Sequence, residues 1–251
     1  MCCNLMEKIW ITTICCISFI AYSIAQKGSI IYETTIYPQA NLPPEASAWA
    51  SQIPKKIANK HMLLYDGDVS LYKNMPEEPS AESDMNDRSG RMMRMFRRNN
   101  TETVYFDRGN EIKITQRDFF GKQFLISDTI RHNEWKIVAS EQRQIGQYLC
   151  MKAVLADTTE TEVWFTPQIP ISLGPEDYSG LPGLIMAVNI PDRKVILAKE
   201  IYQGELKEEI IIPAQGEKVT RKKFDQIVEE KMEEMRSMRG GRGGNFHFRM
   251  N

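Results

Sequence analysis

The sequence is poor in the residues that build most catalytic and zinc sites. It has five cysteines and three histidines in 251 residues. His61, His132 and His247 show no H-x-x-x-H spacing, and no cysteine pair could complete a zinc site. The motifs G-x-S-x-G and G-x-G-x-x-G do not occur. These absences argue against zinc hydrolases, α/β-hydrolases and dinucleotide-dependent enzymes.

The sequence also lacks a charge excess and an apolar run that could span a membrane. The formal net charge is −1, which gives no general attraction to nucleic acid. The apolar run from Ile9 to Tyr22 has about 14 residues, whereas a membrane-spanning helix needs about 20. Lys8 precedes this run, and Ser23-Ile24-Ala25 follows it with small residues at the −3 and −1 positions. This pattern predicts a signal peptide over residues 1–25, cleaved before Gln26.

Export with no remaining transmembrane anchor follows from that prediction. Two alternatives at the N-terminus stay open: an uncleaved anchor, and translation that starts at Met6. Cleavage would leave Cys150 alone in the mature chain, so no intramolecular disulfide could form. Because Cys150 lies in an apolar, strand-like run, we interpret it as a buried thiol.

Short β-type runs dominate the mature sequence. Residues 29–37 are rich in β-branched and aromatic side chains, and residues 61–72 predict a hairpin around Asp66-Gly67. Similar runs cover residues 103–107, 111–115, 123–127, 135–139, 148–154, 161–166, 184–190 and 195–206. Their short connections show no helical pattern, so neighbouring strands should be mostly antiparallel. We therefore predict a mainly β fold, a single curved antiparallel sheet or half-barrel with one or two flanking helices.

Two segments favour helix, and two more should lie outside the core. Residues 44–60 predict a short helix broken at Pro54. Apolar residues recur at three- and four-residue steps from Thr220, the candidate N-cap, to Met238. Residues 76–100 carry an acidic block and then an Arg/Met block, which favours a mobile insertion. The predicted division is a β-rich domain over 26–215, a C-terminal helix over 216–239 and a flexible Gly/Arg tail over 240–251.

The stretch from Trp164 to Ile190 is the most unusual in the sequence. It carries four prolines: Pro167, Pro170, Pro175 and Pro182. Pro182-Gly183 has the chemistry of a type II turn, which would lead directly into an apolar strand. We interpret the stretch as a rigid corner that closes the core. A phosphate cradle is the rival interpretation, but no helix start or Lys-Ser/Thr follows.

This stretch also carries a family resemblance. Gly180-Leu181-Pro182-Gly183-Leu184-Ile185 reads GLPGLI and resembles the signature of the GLPGLI family, which are exported proteins of the Bacteroidetes. The run Trp164-Phe165-Thr166-Pro167-Gln168-Ile169-Pro170 is similar to that family's W-[FY]-T-x-x-I-P run. The resemblance extends over about residues 28 to 212. It implies export beyond the inner membrane and little about activity, because the family is largely uncharacterised.

Two methionine clusters, within residues 85–95 and 232–250, raise the question of a soft metal. Thioether sulfurs suit Cu(I), particularly in exported proteins. Such a site would use these residues: Met92, Met93, Met95, Met235, Met238, His247 and Met250. The plainer interpretation is that these methionines pack a helix or fill a low-complexity loop. We predict no cofactor, with copper as the alternative.

Together with the resemblance, the sequence favours an exported, non-enzymatic binding or accessory protein of the periplasm or outer-membrane face. A curved sheet leaves a concave apolar face that could hold a hydrophobic or peptide ligand. Assistance to an outer-membrane transporter, through an outer-membrane protein partner, is a second form of the same prediction. A cryptic hydrolase is a further alternative, and it requires His61 or His132 to meet a carboxylate and a nucleophile in a pocket. Nucleic acid is not an expected partner of an exported protein.

Overall fold

A computed structural model of the chain describes residues 27–38, 55–75, 102–157 and 159–240. These residues form twelve strands and one helix. The elements are β1 Lys27–Ile36, β2 Ile57–Asp66, β3 Val69–Asn74, β4 Glu102–Asp107, β5 Ile112–Phe119, β6 Lys122–Thr129, β7 Trp135–Ile145, β8 Tyr148–Leu155, β9 Glu162–Thr166, β10 Leu184–Ile190, β11 Lys194–Gln203, β12 Glu217–Thr220 and α1 Arg221–Gly240.

All twelve strands belong to one sheet, in the order β12-β6-β5-β4-β3-β2-β1-β11-β10-β9-β8-β7. Two antiparallel meanders, β1 to β6 and β7 to β11, join where β1 pairs with β11. The sheet ends at β12 on one side and at β7 on the other, so it is open and not a closed barrel. The prediction of a mainly β fold built on a single sheet is confirmed. The β12–β6 pair is parallel and departs from the antiparallel pattern.

The C-terminal helix begins at Arg221, directly after the predicted N-cap Thr220, but residues 217–220 of the predicted helical segment 216–239 form a strand. Glu217 to Thr220 extend along β6 as β12, and Gly216 gives the close approach that this pairing needs. The Thr220 hydroxyl then accepts a hydrogen bond from the Lys223 amide at 3.3 Å, as an N-cap does. Phe224 is buried against Phe119 and Phe124 and anchors α1 to the end of the sheet.

The helix predicted over residues 44–60 is wrong for its last four residues. Ile57 to Lys60 begin β2, and Ile57 pairs with Ile36 of β1. Sheet pairing therefore overrides the weak local preference of this segment. Lys55 and Lys56 are not helical either. Residues 44–54 lie outside the described part of the chain, as do the predicted signal peptide, the predicted insertion at 76–100 and the tail beyond Gly240. Among the residues described, no helix is long and apolar enough to cross a membrane.

The main core lies between one face of the sheet, here called the inner face, and residues 167–183, here called the cover segment. Alternate residues of β1 and β2 point into this core, including Ile30, Tyr32 and Leu63. The cover segment contributes three buried side chains: Ile169, Leu173 and Leu181. The opposite face carries a smaller cluster over which residues 204–212 pass. The inner face is therefore occupied, over its apolar part, by the protein's own chain.

Cys150 is fully buried in this core, as the sequence predicted. Burial raises the pKa of its thiol to about 11. The thiol is therefore protonated near neutral pH, and it acts as a small apolar side chain.

Candidate ligand-binding cavity

The GLPGLI residues form a tight corner at the end of the cover segment. The Gly183 amide donates to the Leu181 carbonyl at 2.8 Å, which closes a three-residue γ-turn around Pro182. The predicted type II turn is therefore wrong, because its hydrogen bond would span four residues. Gly183 has φ +151, and a Cβ there would lie 2.2 Å from the Thr166 carbonyl oxygen. The corner is thus rigid and requires glycine, as the structural interpretation of this motif predicted.

The remaining motif residues extend this rigidity along the cover segment. Pro170 is the centre of another three-residue turn, in which the Ile171 amide donates to the Ile169 carbonyl at 2.8 Å. Pro167 follows directly after β9. Trp164, on β9, lies with its ring 5.8 Å from the Arg143 guanidinium. Beyond the corner, Leu184 and Ile185 are fully buried in β10. These residues serve structure, and none of them lines the cavity described next.

Four contacts fasten the cover segment over the sheet. The Trp135 indole donates to the Ser179 carbonyl at 2.7 Å, and the Ser179 amide donates to Asn133 at 3.2 Å. Two ion pairs complete the attachment: Lys194–Glu176 at 2.5 Å and Lys113–Asp177 at 2.5 Å. The segment is therefore held from β7, β5 and β11 together.

A cavity of about 310 Å³ remains beneath Glu176 and Asp177. Its floor is the polar end of the inner face, formed by residues of five neighbouring strands: Thr34, Asn59, His61, Asn74, Glu102 and Arg117. Lys194 of β11 closes one side. A space of this volume is at the lower end of the range that binds small molecules.

His61, a candidate residue in the hydrolase alternative, lines this cavity. Its Nδ1 lies 3.1 Å from the Thr34 hydroxyl, and its ring stacks on Tyr72 with centroids 5.1 Å apart. Burial and then the Lys194 charge lower the pKa of His61 to about 4. His61 is therefore neutral near pH 7 and adds no charge to the cavity.

Glu102 and Arg117 supply opposite charges on the cavity floor. They stand directly opposite each other on β4 and β5, so their side chains share one face. Burial raises the pKa of Glu102, and the Arg117 charge partly offsets that rise. Among the described residues, no ion pair of 4 Å or less joins Arg117 to a carboxylate. Its guanidinium is therefore able to pair with an acid from outside.

Lys194 and Glu176 form the wall between the cover segment and β11. The Glu176 backbone has φ +55, a left-handed conformation that costs a non-glycine residue about 1 kcal/mol or more. Lys194 Nζ contacts both oxygens of this carboxylate, at 2.7 and 2.5 Å. The ion pair thus stabilises a strained residue at the edge of the cavity.

The hydrolase alternative required a histidine near a carboxylate and a nucleophile. His132 is 81% exposed at the side chain and lies 3.7 Å from Glu111, away from the cavity. His61 does meet a hydroxyl, that of Thr34, but Thr34 is only 2% exposed. The structure therefore brings a histidine and a hydroxyl together, but a substrate cannot easily reach the buried hydroxyl of Thr34.

The residues proposed for copper are mostly beyond the described part of the chain. Met92, Met93, Met95, His247 and Met250 lie outside it, and Met235 and Met238 fall on the last turns of α1. Among described residues, no three His, Cys, Asp or Glu side chains cluster in a way that could hold a metal ion.

Comparison with known proteins gives one family match and several similar folds. A family model described as "Protein of unknown function (Porph_ging)" matches residues 155–187, which include the cover segment. Comparison with curated proteins gives no match. Structures of PNGF-II in the P21 and C2 space groups superpose with TM-scores of 0.53 and 0.52, each at 15% identity.

These superpositions cover 80% and 81% of this chain, but only 33% and 32% of the PNGF-II chains. The protein therefore spans about a third of PNGF-II. At this identity the likeness concerns the fold alone.

Proposed function

We propose that this chain is an exported, non-enzymatic binding protein of the GLPGLI family, which holds a small zwitterionic ligand in the cavity beneath the cover segment. The observation that carries the proposal is the Glu102–Arg117 pair on the cavity floor. Support for export comes from the signal-peptide pattern of residues 1–25. Support for the family comes from the GLPGLI motif and from the match over residues 155–187.

The geometry favours a polar ligand over a hydrophobic one. The sequence suggested a concave apolar face as the binding surface. Ile169, Leu173 and Leu181 of the cover segment fill that part of the inner face, and each is at most 5% exposed. The space that stays open is at the polar end of the strands. A ligand must therefore bring groups that can hydrogen bond, since burying these side chains unpaired would be costly.

The two charges on the floor suggest which groups the ligand carries. A guanidinium binds a carboxylate through two parallel hydrogen bonds, which makes Arg117 suited to an acid. Glu102 accepts from an ammonium beside it. A free α-amino acid carries both groups at short range, whereas each end of a peptide carries only one of them. A sugar is less suited, because Tyr72 is only 3% exposed and stacks on His61, so it offers little ring surface.

Calorimetric titration with L-amino acids, together with native mass spectrometry, tests this proposal. Replacement of Arg117 by methionine should weaken binding tenfold to a hundredfold, because a charged hydrogen bond contributes about 1.5 to 3 kcal/mol. The matched control is Arg131→Met, at an exposed arginine outside the cavity. Equal affinity in the two variants, or no binding by the natural protein, would refute the proposal.

A hydrolase is the second candidate, and the contact between His61 and Thr34 favours it. It needs Thr34 to act as a nucleophile and His61 as its base. A Thr34→Val variant should then abolish hydrolysis of short peptide or ester substrates. Absence of turnover by the natural protein removes this candidate.

Copper handling and assistance to an outer-membrane protein are alternatives that the sequence supplies. Cu(I) titration of the mature chain, with and without residues 85–95 and 232–251, tests the first. Binding that survives the deletion would rule out those segments as the site. Cross-linking in the native host, followed by identification of an outer-membrane partner, tests the second.

A further inference from the structure

A second cavity adjoins the first one. It has a volume of about 390 Å³ and shares two lining residues, Ile36 and Lys194, with the cavity on the polar floor. Lys194 lines both cavities and its ion-pair partner Glu176 lines the first, so this pair stands at their boundary. The two adjoining cavities are here called the cleft, and the ion pair at their boundary is called the charged waist.

The second cavity differs from the first in its chemistry. Leu155, Ile190 and Tyr178 give it apolar walls. Its polar groups are largely satisfied within the protein. Asp157 accepts from the Thr159 amide at 2.9 Å, and the Thr159 and Thr161 hydroxyls lie 2.7 Å apart. Arg193 also lines this cavity, so the cavity offers apolar walls together with one cationic side chain.

We propose that the two cavities together bind the carboxyl-terminal end of a short peptide. Its terminal carboxylate pairs with Arg117, the N–H of its last peptide bond donates to Glu102, and an upstream apolar side chain occupies the second cavity. This inference rests on the proposed function, because it places the same Arg117 contact at one end of the cleft. It adds the class of ligand and a second subsite.

Strand spacing limits the length of that peptide. Arg117 lies on β5 and Lys194 on β11, and five strand-to-strand steps separate these strands. The two residues also lie four positions apart along the strands, because Arg117 is level with Tyr32 of β1 and Lys194 is opposite Ile36. At about 4.8 Å a step across the strands and about 3.4 Å a residue along them, a flat sheet would place them about 28 Å apart, and any curl of the sheet shortens this distance. An extended chain advances about 3.4 Å per residue, so about eight residues suffice at most.

The charged waist distinguishes a peptide from a fatty acid. Both ligands offer a carboxylate and an apolar part. An alkyl chain that passed Lys194 and Glu176 would remove water from the ion pair and return no hydrogen bond. Peptide N–H and C=O groups can hydrogen bond to both residues. The cleft therefore favours a peptide, whose polar backbone can pass the ion pair while an apolar side chain occupies the second cavity.

The experiment compares L-alanine, hexa-alanine and hexa-alanine variants with one leucine at each position from 1 to 5, titrated into the full chain by calorimetry. We expect hexa-alanine to bind at least tenfold more tightly than L-alanine. One leucine position should add about a further tenfold, as burial of one apolar side chain does. Amidation of the carboxyl terminus should remove most of the binding.

Variants at Thr159, an exposed residue that lines the second cavity, locate the leucine. Thr159→Trp fills the cavity and should abolish the gain from leucine, with L-alanine binding unchanged. Thr159→Ala, the matched control, should retain the gain. L-alanine binding with no gain from length or leucine overturns this inference and leaves the proposed function standing. Failure of all probes overturns both, and tight binding of octanoate in place of the peptides overturns the peptide assignment.

Discussion

Lys194 Nζ lies 2.7 Å from Oε1 and 2.5 Å from Oε2 of Glu176, and this contact joins β11 to the cover segment. The two residues are 18 positions apart in the chain. Their side chains are 21% and 34% exposed, so water screens them less than it screens a surface pair. The contact also holds Glu176 in its left-handed backbone conformation. This ion pair therefore attaches the cover segment, stabilises a strained residue and stands at the boundary between the two cavities.

Removal of this ion pair should loosen the cover segment. We expect Lys194→Met to lower the free energy of unfolding by about 1 to 2 kcal/mol, between the values for exposed and buried pairs. Amide hydrogen exchange at Asp177 and Tyr178 should become faster. The control is Lys199→Met, which breaks a more exposed pair with Glu33 and should cost less than about 1 kcal/mol. Equal exchange rates in the two variants would show that the contact does not hold the segment.

The corner at Gly183 should tolerate no side chain. In Gly183→Ala the new Cβ would meet the Thr166 carbonyl oxygen, which is backbone and cannot move aside. We expect a loss of about 3 to 5 kcal/mol, from backbone strain and overpacking together. Gly121→Ala is the control, because Gly121 also has a positive φ but has no atom within 4 Å of a new Cβ. It should cost about 1 to 2 kcal/mol in urea unfolding. A similar loss in both variants would contradict the packing role of Gly183.

His61 should make the protein less stable in acid. Its pKa is about 4 in the folded protein and 6.5 ordinarily, so between these pH values the unfolded chain takes up a proton that the folded protein does not. The free energy of unfolding therefore falls as the pH decreases from about 6.5 to about 4. The loss is about 1.4 kcal/mol per pH unit, or about 3 kcal/mol in all.

The comparison variant for this effect is His61→Asn. Urea unfolding at pH 7 and pH 4.5 should show a smaller difference in the variant by about 2 to 3 kcal/mol. Glu102, whose pKa is raised, acts in the opposite direction: it stabilises the folded protein at low pH and loses this effect as the pH rises. Glu102 is present in both proteins, so its contribution to the free energy of unfolding cancels in the comparison. An unchanged pH dependence in the variant would refute a depressed pKa for His61.

Cys150 should resist alkylation in the folded protein. Its thiol is fully buried and its pKa is raised to about 11, so little thiolate exists at pH 8 and reagent cannot reach it. Iodoacetamide should modify the Cys150 peptide slowly in buffer and rapidly in 6 M urea, as read by peptide mass mapping. Rapid modification in buffer would show an accessible thiol and contradict this burial.

The strands were predictable because their signals are local. The alternation in β1 and the Asp66-Gly67 cue between β2 and β3 depend on a few neighbouring residues. The short β12 was missed because its four residues precede a strong helical pattern. Its partner β6 lies far back in the sequence, and the pairing is parallel. No local signal specifies a pairing of that kind.

The cavity could be predicted only in part, for the same reason. Glu102 and Arg117 belong to one hairpin and face each other across β4 and β5. Because both strands give local sequence signals, this pairing could have been predicted from the sequence. Lys194 and Glu176 come together at the cavity only when β11, the last strand of the second meander, pairs with β1. Their meeting depends on the whole topology. The strained backbone at Glu176 also leaves no pattern in the residue types around it.

The position of β1 inside the sheet has a consequence for the order of folding. One edge of β1 pairs with the nearby β2, but its other edge pairs with β11, so that Gly28 is opposite Gln203. The N–H and C=O groups on that second edge stay unpaired during folding until β11, near the end of the chain, has formed. Contacts between residues so far apart close slowly. The β1–β11 seam should therefore form late in folding, and an interrupted chain that lacks β11 would expose an apolar strand edge prone to aggregation.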